Sequence, residues 1–145
     1  MLNRELSPRK TPDISWEKLN QEVESLATKI VETPDLIAPI VRGGLVPGRI
    51  LSSCLGVNEM LPLMVEKRDE GRVVTSETTR DLRGKVVLLV EDALETGRSL
   101  IVAKDYLVKK GATVITACLY TTPKSEIKPD YSLEEVAKIP IFPWE

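Results

Sequence analysis

The residues best suited to chemistry lie in one short loop, Glu91–Ser99, between an apolar run and an amphipathic segment. The loop opens with two adjacent acids, Glu91 and Asp92, and closes with the hydroxyl and glycine residues of Thr96–Ser99. Successive backbone N–H groups at the start of a helix, together with the positive end of the helix dipole, form an anion site. Gly97 can adopt a positive φ, which lets the backbone approach a phosphate closely. The second half of the loop therefore predicts a phosphate site.

The two acids beside this anion site need a separate role. Carboxylates accept hydrogen bonds from sugar hydroxyls, and they also ligate Mg²⁺. An acidic pair followed by a phosphate site therefore indicates a sugar-phosphate site. A structural alternative stays open, because acids at this position also favour a helix N-terminus through its macrodipole. The chain contains neither GxxxxGK[ST] nor GxGxxG, which excludes a nucleotide triphosphatase loop and a dinucleotide fingerprint.

The segments around the loop follow a strand–helix–strand pattern. Lys85–Val90 is a continuous apolar run after one lysine, which is typical of a strand covered on both faces. Arg98–Lys110 has helical periodicity, Gly111 can end that helix, and Ala112–Leu119 predicts the next strand. Asp35–Val57 resembles the first half of a second such unit. We therefore expect a doubly wound α/β domain with a mostly parallel central sheet, whose ligands bind beyond the carboxyl ends of the strands.

The rest of the chain predicts a first helix, a hairpin and two irregular ends. Ser15 is a suitable N-cap for a helix whose apolar face includes Trp16, which we expect in the core. Leu61–Glu66 and Arg72–Glu77 are predicted to be strands on either side of the charged turn Lys67–Gly71. We expect one domain over residues 1–145. Within it, residues 1–13 form an irregular arm, and the proline-rich residues 122–145 form a hood-like tail that wraps the sheet without joining it.

Composition restricts the classes of function. The chain has 145 residues and a formal net charge of −2, so no overall charge attracts nucleic acid or a membrane surface. It contains no histidine, which excludes a Ser-His-Asp triad and a histidine general base. Its two cysteines, Cys54 and Cys118, belong to no CxxC pair, which favours a reducing compartment. No apolar run approaches membrane-spanning length. We expect a cytoplasmic protein with no membrane or nucleic-acid partner.

The segment Val86–Leu100, VVLLVEDALETGRSL, resembles the signature of type I phosphoribosyltransferases that binds 5-phosphoribosyl 1-diphosphate (PRPP). That signature is an apolar strand, two acids, a short spacer and [DE]TG-x-[ST]. The segment DLIAPIVRGGLVPGRILSSCLG is similar to the first strand, pyrophosphate loop and following helix of the family. The ending IFPWE is similar to that of the xanthine/guanine/hypoxanthine members. The resemblance covers about Ser15 to Glu145 and implies the type I phosphoribosyltransferase fold.

This resemblance implies a role for each part of the site. Glu91 and Asp92 would hold the ribose hydroxyls and help to place Mg²⁺, so these two are the implied metal residues. Lys67, Arg68 and Arg72 would lie in a mobile loop that closes over the leaving group, which is pyrophosphate. The residues implied to bind PRPP, from the pyrophosphate loop to the 5′-phosphate cradle, are Arg42, Gly43, Arg72, Glu91, Asp92, Ala93, Leu94, Glu95, Thr96, Gly97, Arg98 and Ser99.

On the acceptor side, the chain departs from the purine-type pattern at three positions. Glu95 stands where aspartate is usual, and it is implied to contact a ring nitrogen of the base and to take part in proton transfer. Glu95 and Asp92 are thus the implied catalytic residues. Thr122 stands where a lysine is expected, and Ile139 stands where an aromatic residue often stacks on the base. The implied base pocket comprises Thr122, Ile139, Trp144 and Glu145.

The implied reaction transfers the 5-phosphoribosyl group of PRPP to a nucleobase, with a 6-oxopurine as the first candidate, and releases pyrophosphate in the presence of Mg²⁺. Loop closure would protect an oxocarbenium-like state from water. Two alternatives stay open: a non-catalytic, PRPP-sensing regulatory protein on the same fold, and a plain sugar-phosphate-binding module. Because relatives of this size usually pair, a homodimer or a higher homo-oligomer is expected.

Overall fold

A computed structural model describes residues 3–145, and its centre is a five-stranded sheet in the order β3-β2-β1-β4-β6. The helices are α1 (Trp16–Lys29), α2 (Leu45–Leu55) and α3 (Arg98–Lys109). The strands are β1 (Leu36–Val41), β2 (Leu63–Arg68), β3 (Gly71–Val74), β4 (Val86–Val90), β5 (Ala93–Leu94), β6 (Thr113–Ala117), β7 (Tyr120–Thr121) and β8 (Glu134–Glu135). Strands β2, β1, β4 and β6 run parallel to one another, and the edge strand β3 is antiparallel to β2. The predicted α/β class with a mostly parallel sheet is confirmed.

The sheet is covered on both faces, as the unbroken apolar runs of β1 and β4 predict. Successive residues of a strand point to opposite faces, so each run divides between two cores. On one face, Ile37, Leu88 and Val90 pack in a buried cluster with the apolar stripe of α1. On the other face, Leu36, Ala38, Val87 and Leu89 pack with the buried face of α3, which comprises Leu100, Ala103 and Leu107. This double burial fixes the carboxyl ends of β1 and β4 side by side.

The first helix begins where its N-cap predicts, but its first residue is not in the core. Ser15 Oγ accepts a hydrogen bond from the backbone N–H of Lys18 at 3.1 Å, which satisfies a donor of the first turn. The prediction that Trp16 is a core residue is wrong, since 53% of its surface is exposed. Its ring lies 6.1 Å from the ring of Trp144 instead. Trp16 therefore packs against the end of the chain rather than against the sheet.

The hairpin is displaced from its predicted position. Strand β2 extends through Arg68 and β3 starts at Gly71, so the turn is only two residues long. Lys67 pairs directly with Arg72 across the ribbon. The prediction of a five-residue turn from Lys67 to Gly71 is wrong, because charged residues at an exposed sheet edge remain compatible with a strand. Lys67 and Arg68 consequently lie on a two-stranded ribbon rather than in a loop.

The tail joins a second small sheet, in the order β5-β7-β8. Strand β8 pairs with β7, and Tyr131 forms a bridge to Ala117 at the end of β6. Within residues 3–145, the tail thus adds no strand to the central sheet beyond this single bridge, but it takes part in a second sheet that was not predicted. Pairs of two-residue strands carry no hydrophobic periodicity, so the sequence gives no signal for them. This small sheet lies directly after the acidic pair, because β5 begins at Ala93.

Residues 3–13 contain no helix or strand, while Met1 and Leu2 of the predicted arm lie outside the described residues. Single-domain organisation over 1–145 stays a prediction. Within residues 3–145, none of the helices combines the length and the apolar character that crossing a membrane requires.

The burial of β4 predicts a stability effect. Leu89 is fully buried at the centre of the sheet, so Leu89→Ala should lower the free energy of unfolding by about 2–5 kcal/mol through lost contacts and a residual cavity. Leu6→Ala is the matched control, because 83% of Leu6 is exposed, and it should change the value by less than about 0.5 kcal/mol. Urea unfolding followed by circular dichroism measures both. Equal effects of the two variants would contradict the described core.

Candidate active site

The acidic pair lies at the carboxyl end of β4, where the strand leaves the sheet. Glu91 donates its backbone N–H to the Ala117 carbonyl at 3.1 Å, which holds it beside β6. The side chains of both acids turn back onto the chain: Glu91 Oε1 accepts from the Asp92 N–H at 3.1 Å, and Asp92 Oδ1 accepts from the Ala93 N–H at 2.7 Å.

The environment of these acids disfavours their charge. Burial, followed by the neighbouring Asp92 carboxylate, raises the pKa of Glu91 well above its ordinary value. Burial also raises the pKa of Asp92. Among residues 3–145, no lysine or arginine forms an ion pair with either acid. Two close carboxylates without a cationic partner favour a ligand that brings hydroxyl donors or a cation.

The anion cradle follows at the start of α3. Gly97 is the N-cap residue with φ 76°, and it has no side chain with which to cap the helix. A Cβ atom at Gly97 would lie 2.6 Å from Ile127 Cγ2 and 2.8 Å from Ser125 Oγ. Glycine is therefore required here both by the backbone conformation and by the tail packed against it. A cavity of about 190 Å³ lies at this position. It is lined by Arg72, Glu91, Ala93, Leu94, Glu95, Thr96, Gly97, Arg98, Ser99 and Leu100.

The loop after β1 packs directly against the acidic pair. The peptide bond between Val41 and Arg42 is cis. A Cβ atom at Gly43 would lie 2.6 Å from Asp92 Oδ1, and one at Gly44 would lie 2.8 Å from the Ile40 carbonyl oxygen. These two glycines thus let the loop backbone approach the Asp92 carboxylate. A cavity of about 540 Å³ opens beside it, lined by Arg42, Gly43, Leu45, Val46, Asp92, Trp144 and Glu145.

A further cavity, of about 510 Å³, lies on the other side of the Glu91–Ser99 loop. It is lined by Glu95, Thr122, Pro123, Lys124, Ala137, Lys138 and Ile139. Thr122 is buried, and it donates its hydroxyl to the Glu95 carbonyl at 2.8 Å and its N–H to the Leu94 carbonyl at 3.0 Å. Thr122 therefore positions the loop through its backbone. The two lysines supply the cationic groups of this cavity.

The structure divides the residues assigned to the base pocket between two cavities. Thr122 and Ile139 line the cavity beside Glu95, whereas Trp144 and Glu145 line the cavity beside Arg42. Trp144 is stacked on Phe142, with ring centroids 4.7 Å apart and an interplanar angle of 6°. Because the chain end turns toward β1, its last residues meet the loop after that strand rather than Thr122.

Sequence reasoning missed two features of the site. Lys138 lines the cavity beside Glu95, and its only signal is its position next to Ile139. Arg98 forms an ion pair with Glu126 of the tail at 3.2 Å, and the Glu126 N–H donates to the Thr96 carbonyl at 2.8 Å. A contact between residues 28 positions apart leaves no local pattern. Of the three basic residues assigned to the mobile loop, Arg72 lines the cavity at the start of α3, while Arg68 pairs with Glu66.

The chain was compared with known proteins. The sequence profile of the Phosphoribosyl transferase domain family matches residues 15–145. The chain is 26% identical to the xanthine-guanine phosphoribosyltransferase of Desulfotalea psychrophila, over 94% of this chain and 88% of that protein. It is 29% identical to the enzyme of the same name from Chromohalobacter salexigens, over 91% of this chain and 82% of that protein.

Among solved structures, the purine phosphoribosyltransferase from Pyrococcus horikoshii superposes with a TM-score of 0.84 and 34% identity. That superposition covers 91% of each chain. A xanthine-guanine-hypoxanthine phosphoribosyltransferase from Helicobacter pylori has the same fold, with a TM-score of 0.80 at 20% identity, over 90% of this chain and 91% of that one.

Because the pKa of Glu91 is raised, replacing its carboxyl group should stabilise the protein in a pH-dependent way. Since folding raises this pKa, the folded state binds the proton more tightly than the unfolded state, and stability falls as the pH rises above the ordinary value of 4.5. Glu91→Gln keeps the oxygen that accepts from Asp92, and it should raise the thermal unfolding midpoint at about pH 7.5. The gain should vanish near about pH 4, where the carboxyl is protonated in both states. Glu135→Gln, at an exposed carboxylate, is the control and should show no such gain. A lower midpoint for Glu91→Gln at neutral pH would contradict the charge penalty.

Proposed function

The chain belongs to the phosphoribosyl transferase family, and on that premise we propose that it transfers the 5-phosphoribosyl group of PRPP to a 6-oxopurine base with release of pyrophosphate. One observation carries the proposal: the Glu91–Ser99 loop borders three cavities at once. Asp92 lines one of them, Glu91 and Thr96–Ser99 line the second, and Glu95 lines the second and the third. A loop that meets three adjoining cavities suits a substrate with a phosphate, a sugar and a leaving group, together with an acceptor.

We assign the cavity at the start of α3 to the 5′-phosphate. Its N–H groups and the hydroxyls of Thr96 and Ser99 are hydrogen-bond donors that suit phosphate oxygens. The cavity beside Arg42 is assigned to the diphosphate, because a guanidinium suits phosphate oxygens and Gly43 exposes the backbone there. The cavity beside Glu95 is assigned to the base. The xanthine-guanine names of the relatives support a purine in it.

The acidic pair then lies between phosphate and diphosphate, where the ribose would be. The carboxylates of Glu91 and Asp92 would accept hydrogen bonds from the 2′- and 3′-hydroxyls, which compensates for their unfavourable burial. Within the described residues, no cluster of three or more acidic or cysteine side chains could hold a metal by itself. Mg²⁺ fits the site as a cation shared between PRPP and these two acids, whose oxygens are the ligand type it prefers. Its chemistry there would be to neutralise diphosphate charge.

The residues of this chain also suit the displacement itself. A ring nitrogen of the base forms the new bond to C1 of the ribose, and the C1–oxygen bond breaks with its electron pair going to the diphosphate. Glu95, at the cavity assigned to the base, would accept the proton that the ring nitrogen releases. Thr122 sets the position of Glu95 through its carbonyl, so Thr122 is a positioning residue. The carboxylates of Glu91 and Asp92, beside the ribose, would stabilise the positive charge that develops on it.

We further propose that the protein acts in the cytoplasm, as a homodimer or a higher homo-oligomer. Support for association comes from large apolar side chains that stay exposed in this chain. Met64 and Val73 are two of them, and the strand pairing places both on one face of the β2–β3 ribbon. Exposed apolar residues that cluster on one surface mark interfaces more often than isolated ones do.

The test of the proposed function is a base panel. The protein is mixed with PRPP, Mg²⁺ and hypoxanthine, guanine, xanthine, adenine or uracil in turn, and pyrophosphate release is measured. We expect turnover with 6-oxopurines and little with adenine or uracil. PRPP binding without turnover on any base would refute the enzyme and support the PRPP-sensing alternative.

A substitution of Asp92 tests the ribose assignment. Asp92→Asn keeps the shape but removes the charge, and a hydrogen bond to a charged acceptor contributes about 1.5–3 kcal/mol. We therefore expect kcat/KM for PRPP to fall roughly 10- to 100-fold, with the fold intact by circular dichroism. Asp105→Asn, on the exposed face of α3, is the matched control. Unchanged kinetics of Asp92→Asn would refute the assigned role.

A further inference from the structure

The N-terminal arm is fastened to the last residues of the chain by several polar contacts. Arg9 donates a guanidinium N–H to the Pro143 carbonyl at 2.8 Å. Asp13 and Ile141 form a reciprocal pair: the Asp13 N–H donates to the Ile141 carbonyl at 2.8 Å, and the Ile141 N–H donates to Asp13 Oδ2 at 2.7 Å. The arm precedes residue 15, where the match to the family profile begins. An irregular segment fixed in this way is a defined part of the structure.

One arm residue contacts a residue that lines the cavity assigned to the diphosphate. Lys10 Nζ lies 3.6 Å from Oε1 of Glu145, whose side chain lines that cavity. The other oxygen of this carboxylate, Oε2, accepts from the Phe142 N–H at 2.7 Å, which fixes the Glu145 side chain. Lys10 is itself 66% exposed, so its flexible stem can turn toward a ligand without unpacking anything.

The charges around this cavity do not suit a diphosphate without a further cation. Among its lining residues, Arg42 is the single cation, while Asp92 and Glu145 are both acidic. Glu145 is close enough to Asp92 to contribute to the raised pKa of that group, after burial as the main cause. A diphosphate brought beside two carboxylates and one guanidinium meets a net negative protein charge. The Mg²⁺ that would accompany PRPP offsets part of the charge, but the diphosphate itself carries several negative charges, so a further cation is favourable. Lys10 is a cation in direct contact with the acidic residue at the edge of this cavity.

We propose that Lys10 binds the diphosphate of PRPP, with the arm delivering its ammonium group to the edge of the cavity. This inference rests on the proposed function, since it assumes that the diphosphate occupies the cavity beside Arg42. It extends the site beyond the residues that the family profile matches. A purely mechanical role, in which Lys10 only ties down the chain end, is the competing explanation.

The two explanations differ in the direction in which Glu145→Gln changes the affinity for PRPP. If Lys10 binds the diphosphate, Lys10→Ala should weaken PRPP binding, whereas Glu145→Gln should strengthen it by removing a negative charge from the cavity. The glutamine keeps an oxygen that can accept from the Phe142 N–H, so the chain end stays fixed. If Lys10 is only a tie, both substitutions break the same ion pair and should change PRPP binding in the same direction.

The experiment is isothermal titration of the full chain in Mg²⁺ with PRPP and, separately, with ribose 5-phosphate, which lacks the diphosphate. We expect Lys10→Ala to weaken PRPP binding about 5-fold and Glu145→Gln to tighten it about 5-fold, as suits charges near the surface. Ribose 5-phosphate should bind all variants alike. Arg4→Ala, which removes a charge of the same sign from the same arm, is the matched control and should leave PRPP binding unchanged. Thermal midpoints show whether each variant is folded.

Several results would overturn the inference. PRPP affinity that Lys10→Ala does not change refutes it, as does an equal loss of affinity for ribose 5-phosphate or in Arg4→Ala. Weaker PRPP binding by both Lys10→Ala and Glu145→Gln supports the mechanical tie against it. An unsubstituted protein that binds no PRPP refutes the proposed function and this inference with it, and that result is distinguished because it precedes any substitution.

Discussion

The site depends on the parallel pairing of β1 with β4, which brings the carboxyl ends of two strands, distant in sequence, side by side. At that edge the Gly43 backbone lies against the Asp92 carboxylate, closer than any side chain at position 43 would permit. The pairing is held by apolar residues buried on both faces of the sheet. Stability and function therefore share one physical cause, because the same burial that holds the strands together places two loops in contact at their ends.

The acidic pair shows the cost of this arrangement. Glu91 and Asp92 are adjacent and largely withdrawn from water, and folding makes the ionised form of each less favourable. Such a penalty persists in proteins when the group is needed at a functional site. A ribose with two hydroxyl donors, accompanied by a divalent cation, would relieve it. The unfavourable negative charge of the two acids is thus complementary to the ligand that we propose for them.

The tail and the arm contribute to the same site from outside the central sheet. Thr122 and Glu126 fix the phosphate loop through the carbonyls of Glu95 and Thr96, and Arg98 pairs with Glu126. The arm in turn holds the end of the tail at the cavity beside Arg42. These contacts join residues that are far apart in the sequence but close together in the folded chain. The central sheet positions the start of the Glu91–Ser99 loop, and the tail and the arm form the rest of the site around it.

The elements with local signals could be predicted from the sequence. The unbroken apolar run before Glu91, the Ser15 cap and Gly97 at the start of α3 each follow from burial, hydrogen bonding or backbone freedom within a few residues. The positions of the acidic pair and of the glycine that precedes α3 were predictable for the same reason. The hairpin turn was predicted as five residues and is only two residues long, since charged residues suit an edge strand and a turn equally.

Contacts between distant segments depend on the tertiary structure and could not be predicted from the sequence. The tertiary structure placed Trp144 and Glu145 beside Arg42 instead of Thr122, brought Lys138 to the cavity beside Glu95, and set Lys10 against Glu145. The two-residue strands of the small sheet exist only because their partners lie next to them. None of these contacts leaves a local pattern, because a lone side chain has no periodicity and its partner is chosen by the packing of the whole chain.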